Sequence, residues 1–496
     1  MAKASVKLLD RAKTGISGLD EVLDGGLPRE RMYLVQGDPG VGKTTLALGF
    51  LLAGAVESER CLYVTLSETR VEIEATAKSH GWSLDPIELI ELSALEQAET
   101  LDRENSLFES SEVELQETTR RLIEHIEQLD PHRIVIDSLS ELRLMARGSL
   151  NYRRQILTLK QHFSGRHCTV LLLDDRTSEP GDLQLQSLAH GVLQLEQVPP
   201  VYGDDRRRLR IVKLRGLRFR GGYHDFVIRH GGLVVFPRLR VSDEQTEVDG
   251  LALSSGVPEF DRLLGGGLDR GTSTLLTGAA GLGKSLIATQ FAIAAAERGE
   301  SSAMFVFDET ARTLLARSRS LGMPLDKHIA SKLIRVQQID PAEMGPGEFA
   351  QLAHGVVQSG VRLVVIDSLT GYLNAMVEEK MLTVQLHELL SVFSQKGVST
   401  LLIMAQHGLV GKMDSPVDVS YISDTVLMLR YFEAAGRIRK AISVLKKRSG
   451  PHEDTIRELR IGQGGITLGE PLARFHGVLS GTPTYFGDPG ELSASA

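Results

Sequence analysis

The chain has 496 residues, 42% of them apolar, and carries 56 Lys and Arg against 64 Asp and Glu for a net charge of −8. That apolar content at this length supports two ample cores, and the negative balance argues against a dedicated nucleic-acid binder. No run approaches a membrane span and the opening MAKASVKLLD lacks the apolar centre of a signal peptide, so a cytoplasmic protein without membrane association is expected.

In chain order, the first informative stretch is TGISGLDEVLDGGLP, Thr14 to Pro28. It leads into the apolar run Met32-Tyr33-Leu34-Val35, which reads as a strand, and then into GDPGVGKT. Gly37, Asp38, Pro39, Gly40, Val41, Gly42, Lys43, Thr44 and Thr45 thus form a phosphate-binding loop at the head of a helix. Its glycines let successive backbone N–H groups face one anionic oxygen cluster, and the helix N-terminus adds its positive end. Lys43 can reach β- and γ-phosphates, and Thr44 offers a hydroxyl to Mg²⁺.

The next apolar run ends in Ser67-Glu68-Thr69, and Glu68 is the candidate for orienting a hydrolytic water; a solvated loop acid is the alternative. HRIVIDSLS, His132 to Ser140, reads as a strand buried on both faces and ending in Asp137. An acid there completes a Mg²⁺ shell; the alternative is a helix cap, because Ser138 follows. Cys61 and Cys168 lie in strand-like runs and read as buried thiols. The basic run Arg206-Arg207-Arg208-Leu209-Arg210 reads as a solvated hairpin balanced by Asp204 and Asp205. Lys213 and Arg215 then project from one strand face, a pair suited to a γ-phosphate or else to an edge-strand surface. Residues 241–252 are polar and read as a linker.

The same blocks then return in the same order. SGVPEFDRLLGGGLD (Ser255 to Asp269) leads into Ser273-Thr274-Leu275-Leu276 and GAAGLGKS. Gly278, Ala279, Ala280, Gly281, Leu282, Gly283, Lys284, Ser285 and Leu286 form the second loop, with Ser285 as its Mg²⁺ hydroxyl. The acids after the next strand are Asp308 and Glu309; VRLVVIDSLT ends its strand in Asp367; and VLKKRS carries Lys446 and Arg448. Repetition of whole blocks means duplication of a domain of about 240 residues, not of a small solenoid unit. Strands alternating with helical patterns specify an α/β class with two mostly parallel, doubly wound sheets and nucleotide beyond the strand carboxyl ends. The division expected is 1–240, a linker at 241–252, 253–484 and a short tail at 485–496.

The tandem arrangement resembles the KaiC family of circadian-clock ATPases and autokinases, within the RecA superfamily, over nearly the whole chain. The carrying residues are the Thr14–Leu27 lead-in, both loops, the SET and DET acids, both IDS strands, DVSYISDTVLMLRYFE (Asp418 to Glu433), the stretch Arg439 to Leu459 and SGTPT (Ser480 to Thr484). The resemblance implies two RecA-like P-loop NTPase domains, ATP with Mg²⁺, and a two-tiered homohexamer with ATP between subunits. The Lys-x-Arg pairs would then reach the neighbour's nucleotide. It further implies a slow ATPase in the first domain and serine/threonine autophosphorylation in the second. The acceptors are matched by Ser420 and Tyr421, a third hydroxyl by Ser415, and the activating acids by Asp308 and Glu309.

The chain departs from the family pattern at several places. Ser67 stands where the family has a first glutamate, and Tyr421 where it has a threonine, which puts an ordered two-site cycle in doubt. The tail after SGTPT is short, so a KaiA-type activator is not expected, and Asn105–Leu115 differs from the partner loop of clock members. A KaiB-like protein or a signalling histidine kinase is the partner class implied. The alternatives are a RecA-like DNA-processing motor and a nucleotide-gated scaffold with little turnover.

Overall fold

The computed structural model describes residues 10–91, 111–146, 148–175, 184–199, 203–241, 252–374, 379–406 and 420–487. The linker expected at 241–252 lies almost wholly outside these residues, as do Ser415, most of Asn105–Leu115 and the tail beyond Gly487. The chain forms two compact units that change over between Arg238 and Leu239.

Each unit is built on a nine-stranded sheet. The first contains β1 (Met32–Gly37), β2 (Cys61–Thr65), β3 (Ile87–Glu91), β4 (Arg133–Asp137), β5 (Thr169–Asp175), β6 (Gly191–Val198), β7 (Arg206–Leu214), β8 (His224–Arg229) and β9 (Gly232–Phe236). The second contains β10 (Ser273–Gly278), β11 (Ser302–Val306), β12 (Ile334–Gln338), β13 (Leu363–Asp367), β14 (Ser399–Ala405), β15 (Thr425–Ala434), β16 (Arg437–Lys447), β17 (Arg457–Gly462) and β18 (Gly465–Pro471). Strand order is β9-β8-β7-β6-β1-β5-β4-β2-β3 in one and β18-β17-β16-β15-β10-β14-β13-β11-β12 in the other, the same order twice. From β3 across to β6, and from β12 across to β15, neighbours are parallel. The remaining three strands of each sheet form an antiparallel meander. The duplicated α/β fold expected from the repeat is therefore present.

Strand alternation explains why the parallel strands are apolar throughout. In the first unit Tyr33, Val35, Tyr63, Val135 and Leu171 join one core with Leu46, Phe50 and Leu51 of the helix Lys43–Val56. Met32, Leu34, Leu62, Ile134 and Val170 join the opposite core with Leu142, Ile156 and Leu159. The second unit divides likewise: Leu276, Met304 and Val365 face the helix Lys284–Glu297, while Leu275, Phe305 and Ile366 face Phe349, Leu386 and Phe393. Successive side chains point to opposite faces, so a strand sandwiched between helix layers has no polar side. The strand carboxyl ends of β1, β2, β4 and β5, and of β10, β11, β13 and β14, consequently emerge together at one edge of each sheet, where the loops carry chemistry.

Candidate nucleotide sites

Each phosphate loop turns into its helix through a glycine in left-handed conformation, Gly42 at φ 106° and Gly283 at φ 98°. A Cβ on Gly42 would lie 2.5 Å from Ile228 Cδ1, and one on Gly283 2.6 Å from Ile461 Cδ1. Both backbone strain and packing therefore demand glycine there. Gly37 and Gly278 end β1 and β10, and Asp38, Pro39, Gly40 and Val41, like Ala279, Ala280, Gly281 and Leu282, form the bend between. Thr45 and Leu286, like Lys43 and Lys284 before them, are buried in the first turn of the helices. Tyr431 donates its hydroxyl to Ala280 O at 3.1 Å, bracing the second loop.

In the first domain Lys43 Nζ donates to Gly37 O and Asp38 O, both at 2.9 Å, and pairs with Asp175 Oδ1 at 2.7 Å. Thr44 Oγ1 donates to Asp137 Oδ2 at 3.1 Å and the Tyr63 hydroxyl to the same oxygen at 2.6 Å. Burial raises the pKa of Asp137 above the usual carboxylate range, against hydrogen bonds from Tyr63 and Thr44 that pull it down. Glu68 is half-buried just beyond β2, with its backbone pinned by Thr65 Oγ1. Burial first, then the negative charges of Asp137, Glu72 and Asp175, raise its pKa. A carboxylate whose proton affinity is raised is better suited to accept a proton from water.

In the second domain Lys284 Nζ donates to Gly278 O at 2.8 Å and Ala279 O at 2.6 Å. Burial brings its pKa down to about 8, with Asp367 opposing. Asp367 itself is pushed up to about 6, chiefly by burial, with a hydrogen bond from Ser285 acting the other way. Its Oδ2 is buried and has no hydrogen-bond partner among the described residues. An orphaned buried oxygen beside a loop hydroxyl is what a hard divalent cation with oxygen ligands would satisfy, so Ser285 and Asp367 fit Mg²⁺. Thr44 and Asp137 hold the same places in the first domain. The second site opens as a cavity of about 420 Å³ lined among others by Lys284, Ser285, Asp308, Glu309, Asp367 and Lys440.

The two acids after β11 differ in their surroundings. Asp308 accepts a hydrogen bond from the Ser368 hydroxyl, whereas Glu309 is paired at both oxygens with Arg317.

The Lys-x-Arg pairs have backbone partners within their own domain. Lys213 donates to Gln186 O and Arg215 to Ser187 O at 2.8 Å. Lys446 donates to Ser420 O at 2.8 Å and Ser423 O at 2.7 Å, and Arg448 to Tyr421 O at 2.7 Å. Gly191 pairs with Tyr33 and Thr425 with Thr274, which makes Gln186-Ser187 the counterpart of Ser420-Tyr421. In both domains the cation pair thus grips the segment just before the sixth strand. Ser420 is half-buried there and Tyr421 is 55% exposed. The arginine run on β7 is not a freely solvated hairpin either: Arg208 pairs with Glu196 at 2.9 Å and lies 4.1 Å from the Tyr223 ring centre.

The KaiC ATPase family model matches residues 12–240 and 253–473. The chain belongs to the KaiC family. It is 28% identical to the circadian clock oscillator protein KaiC of Synechococcus elongatus, across 96% of this chain and 92% of that protein. It is 27% identical to the corresponding protein of Picosynechococcus, across 97% and 93%, and to the circadian clock protein KaiC3 of Synechocystis, across 96% and 95%. Membership of this ATPase family implies ATP binding. Among the described residues no helix is long and apolar enough to cross a membrane.

Sequence reasoning missed five contributors. Tyr63 and Arg317 lie in patterns that read as plain strand and plain helix. Ser368 follows a strand-end acid and carries no pattern of its own. Asp174 and Asp175, consecutive acids closing the apolar run of β5, were a visible signal: Asp175 meets Lys43, and the fully buried Asp174 binds Gln36 at 2.8 Å and Arg143 at 2.9 Å.

Proposed function

We propose that this KaiC-family chain is an ATP-dependent homohexamer that hydrolyses ATP in its first domain and phosphorylates itself at Ser420 in its second. The observation that carries the reading is the convergence, in each domain, of the loop lysine, the loop hydroxyl and the strand-end aspartate. Lys43, Thr44 and Asp137 meet in one domain, and Lys284, Ser285 and Asp367 in the other.

Thr44 with Asp137, and Ser285 with Asp367, would hold Mg²⁺, which when bound neutralises charge on the β- and γ-phosphates. Lys43 and Lys284 orient the phosphates. At the first site Glu68 takes a proton as a water oxygen bonds to the γ-phosphorus and ADP departs. At the second, the Ser420 hydroxyl of a neighbouring subunit is the acceptor, and Asp308 removes its proton. Lys213 and Arg215, and Lys446 and Arg448, sit beside the segments that would face the neighbour's nucleotide, where exchange of a carbonyl for a phosphate oxygen gives the stronger, charge-assisted bond. Tyr421 has a longer reach than Ser420 and is not the main acceptor. The relatives' names place them in circadian clocks, and a signalling role of that kind, with a KaiB-like or kinase partner, is the corresponding role here.

A second reading, a nucleotide-gated scaffold with little turnover, is favoured by the capture of Glu309 by Arg317. Incubation with γ-labelled Mg·ATP followed by site mapping separates the two. Label on Ser420 that disappears in Ser420→Ala supports the autokinase, and an unlabelled Ser420 rejects that half.

A further inference from the structure

The acids that follow β2 and β11 occupy the same place in their domains, yet only one is tied down. Arg317 Nη2 donates to Glu309 Oε1 at 2.7 Å and Nη1 to Oε2 at 2.9 Å. Glu309 is 18% and Arg317 36% exposed, and both line the cavity with Lys284 and Asp367. Arg317 is carried by the helix Ala311–Ser320, whose N-terminus is capped by the Thr310 hydroxyl, so its approach to Glu309 is fixed by the helix. The first-domain counterpart, Arg70–Ser79, starts after Thr69 in the same way and has Thr76 where Arg317 stands. Among the described residues Glu68 has no ion pair.

A carboxylate with both oxygens accepting from a guanidinium has its lone pairs turned onto that fork and away from a water it would have to orient. Hydrolysis needs the opposite. As the water oxygen bonds to the γ-phosphorus and the bond to the β–γ bridging oxygen breaks, ADP leaves with that electron pair and a carboxylate takes the water's proton. Asp308, bound by the Ser368 hydroxyl and outside the arginine fork, stays available to a hydroxyl acceptor.

We infer that Arg317 is a positioning residue that withholds Glu309 from water, protecting ATP at the second site from hydrolysis so that its γ-phosphoryl group remains available for transfer. The inference rests on the reading of this cavity as an ATP site. The two domains then differ in chemistry because one helix position is arginine in the second and threonine in the first.

The test uses the full chain with Glu68→Gln to silence the first site, measuring bound ATP, phosphate release and melting temperature. Arg317→Thr should raise kcat for phosphate release at least about tenfold, a small part of the 10²–10⁴-fold scope of a general base, with KM nearly unchanged. Adding Glu309→Gln should abolish that gain. Arg317→Lys, which keeps the charge but breaks the two-pronged geometry, should move kcat the same way by less, and it decides the question if Arg317→Thr does not fold. An unchanged or lower kcat in a folded variant, a gain that survives Glu309→Gln, or a large rise in KM overturns the inference. If Lys284→Ala alters neither ATP stoichiometry nor turnover, the ATP-site reading itself has failed.

Discussion

The contact between Lys43 and Asp175 gives the first site a built-in competitor for ATP. The ion pair spans 2.7 Å, with the lysine side chain 8% and the aspartate 25% exposed. At an effective dielectric near 20, two unit charges at that distance attract by about 6 kcal/mol. Partial exposure of Asp175 and the cost of stripping water from Lys43 cancel most of this, leaving a net of about 1–2 kcal/mol, typical of a hydrogen-bonded charged pair. A phosphate binding Lys43 must displace that partner and also meets the repulsion of its charge. Asp175→Ala should therefore tighten Mg·ATP at the first site about 5–30-fold, at 1.4 kcal/mol per tenfold. The second domain has Ala405 at the matching end of β14 and, among the described residues, no acid paired with Lys284. Fluorescent-nucleotide titration in a Lys284→Ala background reads the first site alone. Unchanged or weaker binding in Asp175→Ala, with Lys43→Ala still abolishing it, would refute the competition.

Three further outcomes are expected. Glu68→Gln should lower total ATP hydrolysis by about 10²–10⁴-fold, with nucleotide stoichiometry unchanged; intact hydrolysis reassigns the water-orienting role. Light scattering should report a hexamer with saturating ATP and a smaller species without it, and a monomer at micromolar concentration with ATP counts against subunit-bridging Lys-x-Arg pairs. His190, whose backbone N–H donates to Met32 O at 2.9 Å and whose ring Nδ1 accepts from the Met32 backbone N–H at 3.4 Å, is held down to about pKa 4 by burial and by Arg31, Lys160 and Arg215. The unfolded chain takes up that proton near 6.5, the folded chain only near 4, so this group leaves stability untouched above pH 6.5 and erodes it as pH falls between the two values. Melting curves of His190→Asn should lose less over that window than wild type; parallel losses would show that His190 does not contribute.

The duplication, the α/β class and the two phosphate loops were legible in the sequence because each rests on local chemistry. A glycine that must take a left-handed turn, as at Gly42 and Gly283, and an apolar run that must be buried on both faces, as at β4 and β13, leave their mark on adjacent residues. Asp137 and Asp367 were legible for the same reason, since a strand's end is visible where its apolar run stops. What joins residues far apart in the chain was not. That Lys43 meets Asp175 depends on β1 and β5 being neighbours in the sheet, an order no single segment encodes. The partners of the Lys-x-Arg pairs emerged only when β6–β7 and β15–β16 paired and brought those cations back over the turn before the sixth strand. The split between Asp308 and Glu309 was decided by the fold too. In the sequence they are two adjacent acids; in the structure the helix that follows turns Arg317 back onto one of them and leaves the other to Ser368, because proximity across a helix and a sheet edge, not adjacency along the chain, sets a carboxylate's surroundings.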